Sequence, residues 1–232
     1  MAQLLDGVPS CVQETASTLV YIGPTDERLI TCLNSAGVGT EVLRITSGGG
    51  DGIVAVKASR LVGSLGLKLV VRGVCASSCG NYLVPAARAL EVEPFSIIGL
   101  HGGPEEGDAY LKSVQDAVER QQRDAFPDVS AENVARGREM MRGVMAETLA
   151  EHAAFTHDHA VPETWYTLTD FPSPARDYGP QDFAVVDPGY LANHLPALRV
   201  DRFWFPATAE ERRALSEQMP GAVLHFPTEA AK

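Results

Sequence analysis

Val42-Leu43-Arg44-Ile45-Thr46, then Ser47-Gly48-Gly49-Gly50-Asp51, then the helical pattern from Ile53 to Leu65 decide the architecture. A short apolar run rich in β-branched residues reads as a strand. Three glycines stop it and Asp51 caps the next element. Apolar residues then recur at the helical period. Lys68 to Arg72 is the next strand. A strand, a helix and a second apolar strand make a parallel pair, with both faces of the sheet covered.

The same alternation extends outward. Thr18 to Ile22 is a strand, and Pro24-Thr25-Asp26-Glu27 opens a helix with Leu29, Ile30 and Leu33 inward. Gly73 to Ser78 reads as a turn and Cys79 to Ala87 as a buried helix. Ala89 to Val92 and Ser96 to Leu100 are short strands around Pro94. Beyond them the chain changes character. Asp108 to Arg123 and Ala131 to Phe155 are helical, and Thr156 to Pro196 is loop-rich with several prolines. Val200 to Phe205, Thr208 to Met219 and Ala222 to Phe226 predict strand, helix and strand. The expected organisation is a core over 1–103, a helical region over 104–155, a loop-rich insertion over 156–199 and a completing segment over 200–232.

Composition excludes several classes. The chain has 232 residues, 45% of them hydrophobic, which suits one large folded domain or a domain with a helical insertion. A net charge of -11 opposes binding to phosphate backbones, so nucleic acid is not an expected partner. No apolar run reaches the ~18 residues of a membrane span, and no signal-peptide pattern opens the chain. Four cysteines are too few for a disulfide-built scaffold. Cys11 and Cys32 read as separate. Cys75 and Cys79 are four apart across a turn that could bend them into a disulfide, or they are two buried thiols.

Three features fall at the ends of successive parallel strands, where sites in open α/β sheets form. The Gly48-Gly49-Gly50 turn bares backbone amides, either as an anion cradle or as a tight turn. Ser77 sits between a strand and a helix, as a nucleophile or as a cap. His101 ends a strand and would serve as the base that a serine needs, or as an ordinary surface group. His157-Asp158-His159 lacks a third ligand, so no metal is expected.

In that order the three resemble the proteolytic subunit of Clp proteases. Ile45-Thr46-Ser47-Gly48-Gly49-Gly50 is similar to the Ile-Asn-Ser-Pro-Gly-Gly turn of that family. Gly73-Val74-Cys75-Ala76-Ser77-Ser78-Cys79 is similar to its Gly-Gln-Ala-Ala-Ser-Met-Gly, and Gly99-Leu100-His101 to its Met-Ile-His. The likeness covers about residues 18–103, and is greatest to a bacterial branch with Cys-Ala-Ser-X-Cys around the serine, whose members are often exported. It implies a ClpP/crotonase-like α/β spiral of ββα units, here with an enlarged helical and loop-rich second half. It implies Ser77 as nucleophile, His101 as base, and the amides of Gly49 or Gly50 and of Ser78 as oxyanion hole. The family's acid is matched best by Asp201, before Phe203-Trp204-Phe205-Pro206, with Asp170 and Asp187 as alternatives.

The expected activity is therefore a serine peptidase cutting an extended peptide, with no cofactor. A crotonase-like acyl-CoA enzyme, a serine–lysine dyad through Lys57 or Lys68, and a non-catalytic binding protein are the competing readings. An exported location is favoured over a cytoplasmic one. Self-association as a trimer or ring is expected through Met140, Met141, Val144, Met145, Thr148 and Leu149 and through Phe203-Trp204-Phe205. The alternative is that these residues pack on their own chain.

Overall fold

In the computed structural model the structure describes residues 9–104, 112, 115–116, 119–120, 123–172 and 181–227. The chain divides into two compact units, one formed by residues 9–103 with 156–227 and the other by residues 104–155.

The first unit is a mixed α/β structure around a mostly parallel, nine-stranded sheet. Its strands are β1 (Ser10–Thr15), β2 (Thr18–Ile22), β3 (Val42–Ser47), β4 (Lys68–Ala76), β5 (Ala89–Val92), β6 (Ile97–Leu100), β7 (Asp182–Val185), β8 (Arg199–Phe203) and β9 (Val223–His225). The order is β1-β2-β3-β4-β6-β7-β9, with β5 on β4 and β8 on β5. Leu43, Ile45, Leu69 and Val71 are fully buried and share one face of the sheet through the register of β3 with β4, while Val42 and Arg44 on the other face are half-buried. Helices α1 (Glu27–Asn34) and α2 (Gly52–Ser64) start at Asp26 and Asp51, whose carboxylates accept from Arg28 N and Val54 N. Both side chains satisfy an amide that the first helical turn leaves unpaired.

The predicted turn from Gly73 is instead strand as far as Ala76. Gly73 has φ of 72°, which an L-residue adopts only with difficulty. The kink changes partners along β4. Lys68 to Val71 pair with β5, whereas Val74 to Ala76 pair with β6. Periodicity could not show this, because the strand continues after changing neighbours.

Two pairings are antiparallel, β1 on β2 and β6 on β7, against the all-parallel expectation. The segment read as a loop-rich insertion supplies β7, the short helix α5 (Thr164–Thr167) and α6 (Pro188–His194). A four-residue strand among prolines leaves little period to detect. Helix α7 (Ala209–Gln218) begins at Thr208 with a capping box closed by Glu211. The predicted helix Cys79 to Ala87 is a π-helix, Cys79–Leu83, that continues as α3 (Val84–Ala86).

Trp204 and Phe205 pack on the unit's own cluster of Val74, Ala76, Ile97, Phe183, Val185, Leu215 and Met219. They are only partly buried there. They follow β8, whose pairing with β5 turns them inward.

Helix α4 is Ala131–Asp158, and most of it belongs to the second unit. Glu119 is ion-paired with Arg123 and Arg138. Along α4, Met145 is buried while Met140 and Val144 are exposed. The helix predicted over Asp108 to Arg123 falls largely outside the described residues. Among the described residues no helix is long and apolar enough to cross a membrane.

Cys11 and Cys32, read as separate, form a disulfide with Cα atoms 5.6 Å apart. The strand that brings Cys11 over α1 is the antiparallel β1, which the sequence reading missed. The bridge closes a loop across 21 residues of sequence. Replacing both cysteines by Ser is expected to cost about 3 kcal/mol in a urea titration, from loop-closure entropy. An unchanged midpoint would show that the bridge does not constrain the unfolded chain.

Candidate active site

Strand β4 ends at Ala76 and β6 at Leu100, paired in parallel with Ala76 opposite Gly99. Ser77 and His101 are thus the first residues beyond two adjacent strands. The side chains meet, with His101 Nε2 at 2.6 Å from Ser77 Oγ. Ser77 has φ of 55°. That conformation costs a non-glycine residue roughly 1–3 kcal/mol and lifts the side chain out of the sheet. It is held from both sides, by Ser77 N donating to Gly99 O and Asn81 N donating to Ser77 O, each at 2.8 Å.

A second disulfide joins Cys75 and Cys79, with Cα atoms 5.2 Å apart. Of the two readings open in the sequence, the structure has the bridge. It closes a five-residue loop with Ser77 at its centre, and both cysteines are fully buried.

The glycine turn comes up against this loop. A Cβ added at Gly49 would lie 2.5 Å from Ser77 Cβ and 2.7 Å from Ala76 O. Gly49 N donates to Ser47 Oγ at 3.2 Å. Ser78 is buried, its hydroxyl 2.5 Å from Thr25 Oγ1 and donating to Gly50 O at 3.3 Å. The Ser78 side chain therefore braces the glycine turn, while that of Ser77 faces the histidine.

Burial pushes the His101 imidazole below the ordinary histidine range, and a hydrogen bond between the ring and its own main chain offsets part of the shift. A neutral ring with its proton on Nδ1 would turn the Nε2 lone pair toward the Ser77 hydroxyl, as a general base requires. Phe183 packs edge-on against the ring at 5.3 Å.

None of the three candidate acids reaches His101. Asp201 lies 2.9 Å from Lys68 Nζ and 3.0 Å from Arg199 Nε. The Lys68 hydrogen bond holds its carboxyl below the usual range. Lys68 begins β4 and Ser77 follows its last residue, so the two stand at opposite ends of the strand. The sequence match failed because β8 pairs along β5, and β5 lies on the amino-terminal part of β4, Lys68 to Val71, away from the end that carries Ser77. Asp170 bonds His194 Nε2 at 3.0 Å, and Asp187 caps α6 through the amides of Gly189 and Tyr190. Among the described residues no carboxylate is bonded to His101. The same geometry places Lys68 too far away to serve Ser77, and Lys57 is exposed on α2. Among the described residues there is no cluster suited to a metal ion, and His157 is paired with Asp158.

The sequence reading missed Asn81, which is buried and donates through Nδ2 to Gly102 O at 2.8 Å. A polar residue inside an apolar helical run was the available signal.

No protein-family model matches the chain, and no curated protein matches it. Solved structures similar to parts of it include an enoyl-CoA hydratase from Bacillus anthracis, at 15% identity and TM-score 0.33, covering 40% of this chain and 50% of that one. Another is an enoyl-CoA hydratase from Mycobacterium avium subsp. paratuberculosis, at 11% identity and TM-score 0.35, covering 66% and 85%. A mutant of ClpP1 from Listeria monocytogenes matches at 18% identity and TM-score 0.30, covering 52% and 78%. The chain spans half the length of the Bacillus anthracis protein.

Proposed function

We propose that this chain is a serine hydrolase of the ClpP/crotonase type, cleaving peptide bonds through a Ser77–His101 dyad. The observation that carries the reading is the 2.6 Å contact of Ser77 Oγ with His101 Nε2 on a turn with φ of 55°. A serine that only capped a helix would need neither the strained conformation nor the histidine.

In this reading Ser77 attacks the carbonyl carbon while Nε2 of His101 takes its proton. The oxyanion is held by backbone amides. Ser78 opens the helical segment, where the first amides have no intrahelical acceptor. Gly49 N is turned to Ser47 Oγ, so the pair assigned to the oxyanion is Gly50 and Ser78. His101 then gives its proton to the leaving amine, and water repeats the sequence on the acyl-enzyme. The substrate lies extended beside Gly48–Gly50, paired by strand addition. Two disulfides support work in an oxidising compartment. Exposed Met140 and Val144 on α4 support self-association through the helical unit, as a trimer or ring.

Labelling by a fluorophosphonate, located by peptide mapping, tests the reading. The expected adduct is on Ser77. Hydration of an enoyl-CoA by unlabelled protein would replace the hydrolase with an acyl-CoA enzyme.

The pH profile is a second test. A histidine with a lowered pKa stays neutral further into acid. Labelling should be constant at neutral pH and fall only as pH drops through a midpoint below ~6.5, the ordinary value. A midpoint above that value would contradict the burial of the ring.

A further inference from the structure

We propose that Asn81 is a positioning residue that couples the nucleophile turn to the base turn and, acting through His101, sets the reactivity of Ser77. The inference rests on the serine-hydrolase reading for its kinetic consequence, but not for its geometry.

Asn81 stands in the π-helix after Ser77, with 4% of its surface exposed. Its main-chain N–H donates to Ser77 O at 2.8 Å. Its side-chain Nδ2 donates to Gly102 O at 2.8 Å. One residue therefore grips the carbonyl of the nucleophile and the carbonyl next to the base. Insertions of π-helix recur at functional sites, where the wider turn re-aims a side chain.

The grip matters because of how His101 is oriented. Among the described residues no carboxylate is bonded to the ring. What holds the ring is its own place on the main chain, with Nε2 against Ser77 Oγ and Phe183 edge-on to it. The main chain at 101–102 thus takes over the orienting task of an acid, and Asn81 is the side chain that pins it. Aspartate could not replace it, since an ionised carboxylate has no N–H for Gly102 O.

A second observation points the same way. Asn81 Oδ1 is buried and has no hydrogen-bond partner among the described residues. An unpaired buried acceptor is destabilising, and such a group calls for an explanation beyond folding. An apolar residue of similar size would remove that burden, yet would lose the donor to Gly102. Tyr166 adds a hydroxyl at 3.5 Å from Asn81 O, so the residue is clamped as well as clamping.

The test compares wild type, Asn81→Leu, His101→Ala and the double variant by fluorophosphonate labelling rate against pH. Asn81→Leu keeps the branched outline with larger methyl groups, and its thermal midpoint, followed beside labelling, confines the comparison to folded protein. Its labelling should slow roughly 10–100-fold and lose the histidine inflection. The double variant should be no slower than His101→Ala alone, because Asn81 acts through the ring. Additive losses in the double variant, or a normal inflection in Asn81→Leu, would overturn the proposal. Nitrogen-detected NMR of the His101 ring gives a readout independent of labelling. The Nδ1–H tautomer should dominate in wild type and give way to a mixture in Asn81→Leu. If wild-type protein does not label, the hydrolase reading fails, and the ring tautomer decides the positioning role alone. An identical tautomer in both proteins refutes it.

Discussion

Ser77→Ala is expected to abolish fluorophosphonate labelling and to lower peptide hydrolysis by about 10⁴-fold or more, the usual loss when a nucleophile that acts as a unit with its base is removed. The fold should survive. Among the described residues the hydroxyl makes one hydrogen bond, to His101, and that partner is only partly buried. Alanine at φ of 55° has the same steric problem that serine already bears. Ser78→Ala is the control. Its hydroxyl joins Thr25 and the Gly50 carbonyl, so its loss should slow labelling without removing it. Labelling that survives Ser77→Ala and disappears in Ser78→Ala would assign the nucleophile to the neighbouring residue.

Gly49→Ala should be the most damaging substitution outside the dyad. The new Cβ would lie 2.5 Å from Ser77 Cβ and 2.7 Å from Ala76 O, and Gly49 holds φ of 93°. Neither obstacle is the end of a flexible side chain. One is backbone, and the other belongs to a turn tied by the Cys75–Cys79 disulfide. The turn must move or the chain must strain, at a cost of roughly 2–5 kcal/mol. Movement separates Ser77 from His101, so hydrolysis should fall at least 10²-fold even in the folded fraction. Thermal unfolding and the labelling rate per folded molecule separate the two effects. A variant with wild-type rate and midpoint would mean that the glycine turn does not bear on the nucleophile.

The parts of the site legible in the sequence are those that local geometry sets. Asp51 caps α2 because a short acid after a glycine turn satisfies the first helical amides, and it does so wherever the chain places it. The strand before Ser77 and the helical segment after it follow from residues within a few positions. Ser77 and His101 are 24 residues apart, yet each only had to end a strand of the same parallel set for the two to meet. Parallel neighbours present their carboxyl ends together, so strand order between them mattered little.

The acid shows the opposite case. Asp201 matched by residue type, but its position depends on which strand β8 joins and at which end. The structure pairs β8 with β5, leaving the carboxylate with Lys68 and Arg199. Cys11 and Cys32 are alike in this, since their bridge needs β1 to turn back on β2 above α1. Asn81 needed both the π-helical turn and the neighbouring β6 end before its amide had a carbonyl to hold. Sequence alone determined the strand-to-helix turns, their caps and the residues that end the central strands, because short-range sterics and hydrogen bonding set them. Tertiary structure decided which distant side chains complete the site, because strand order and register bring them together and local pattern encodes neither.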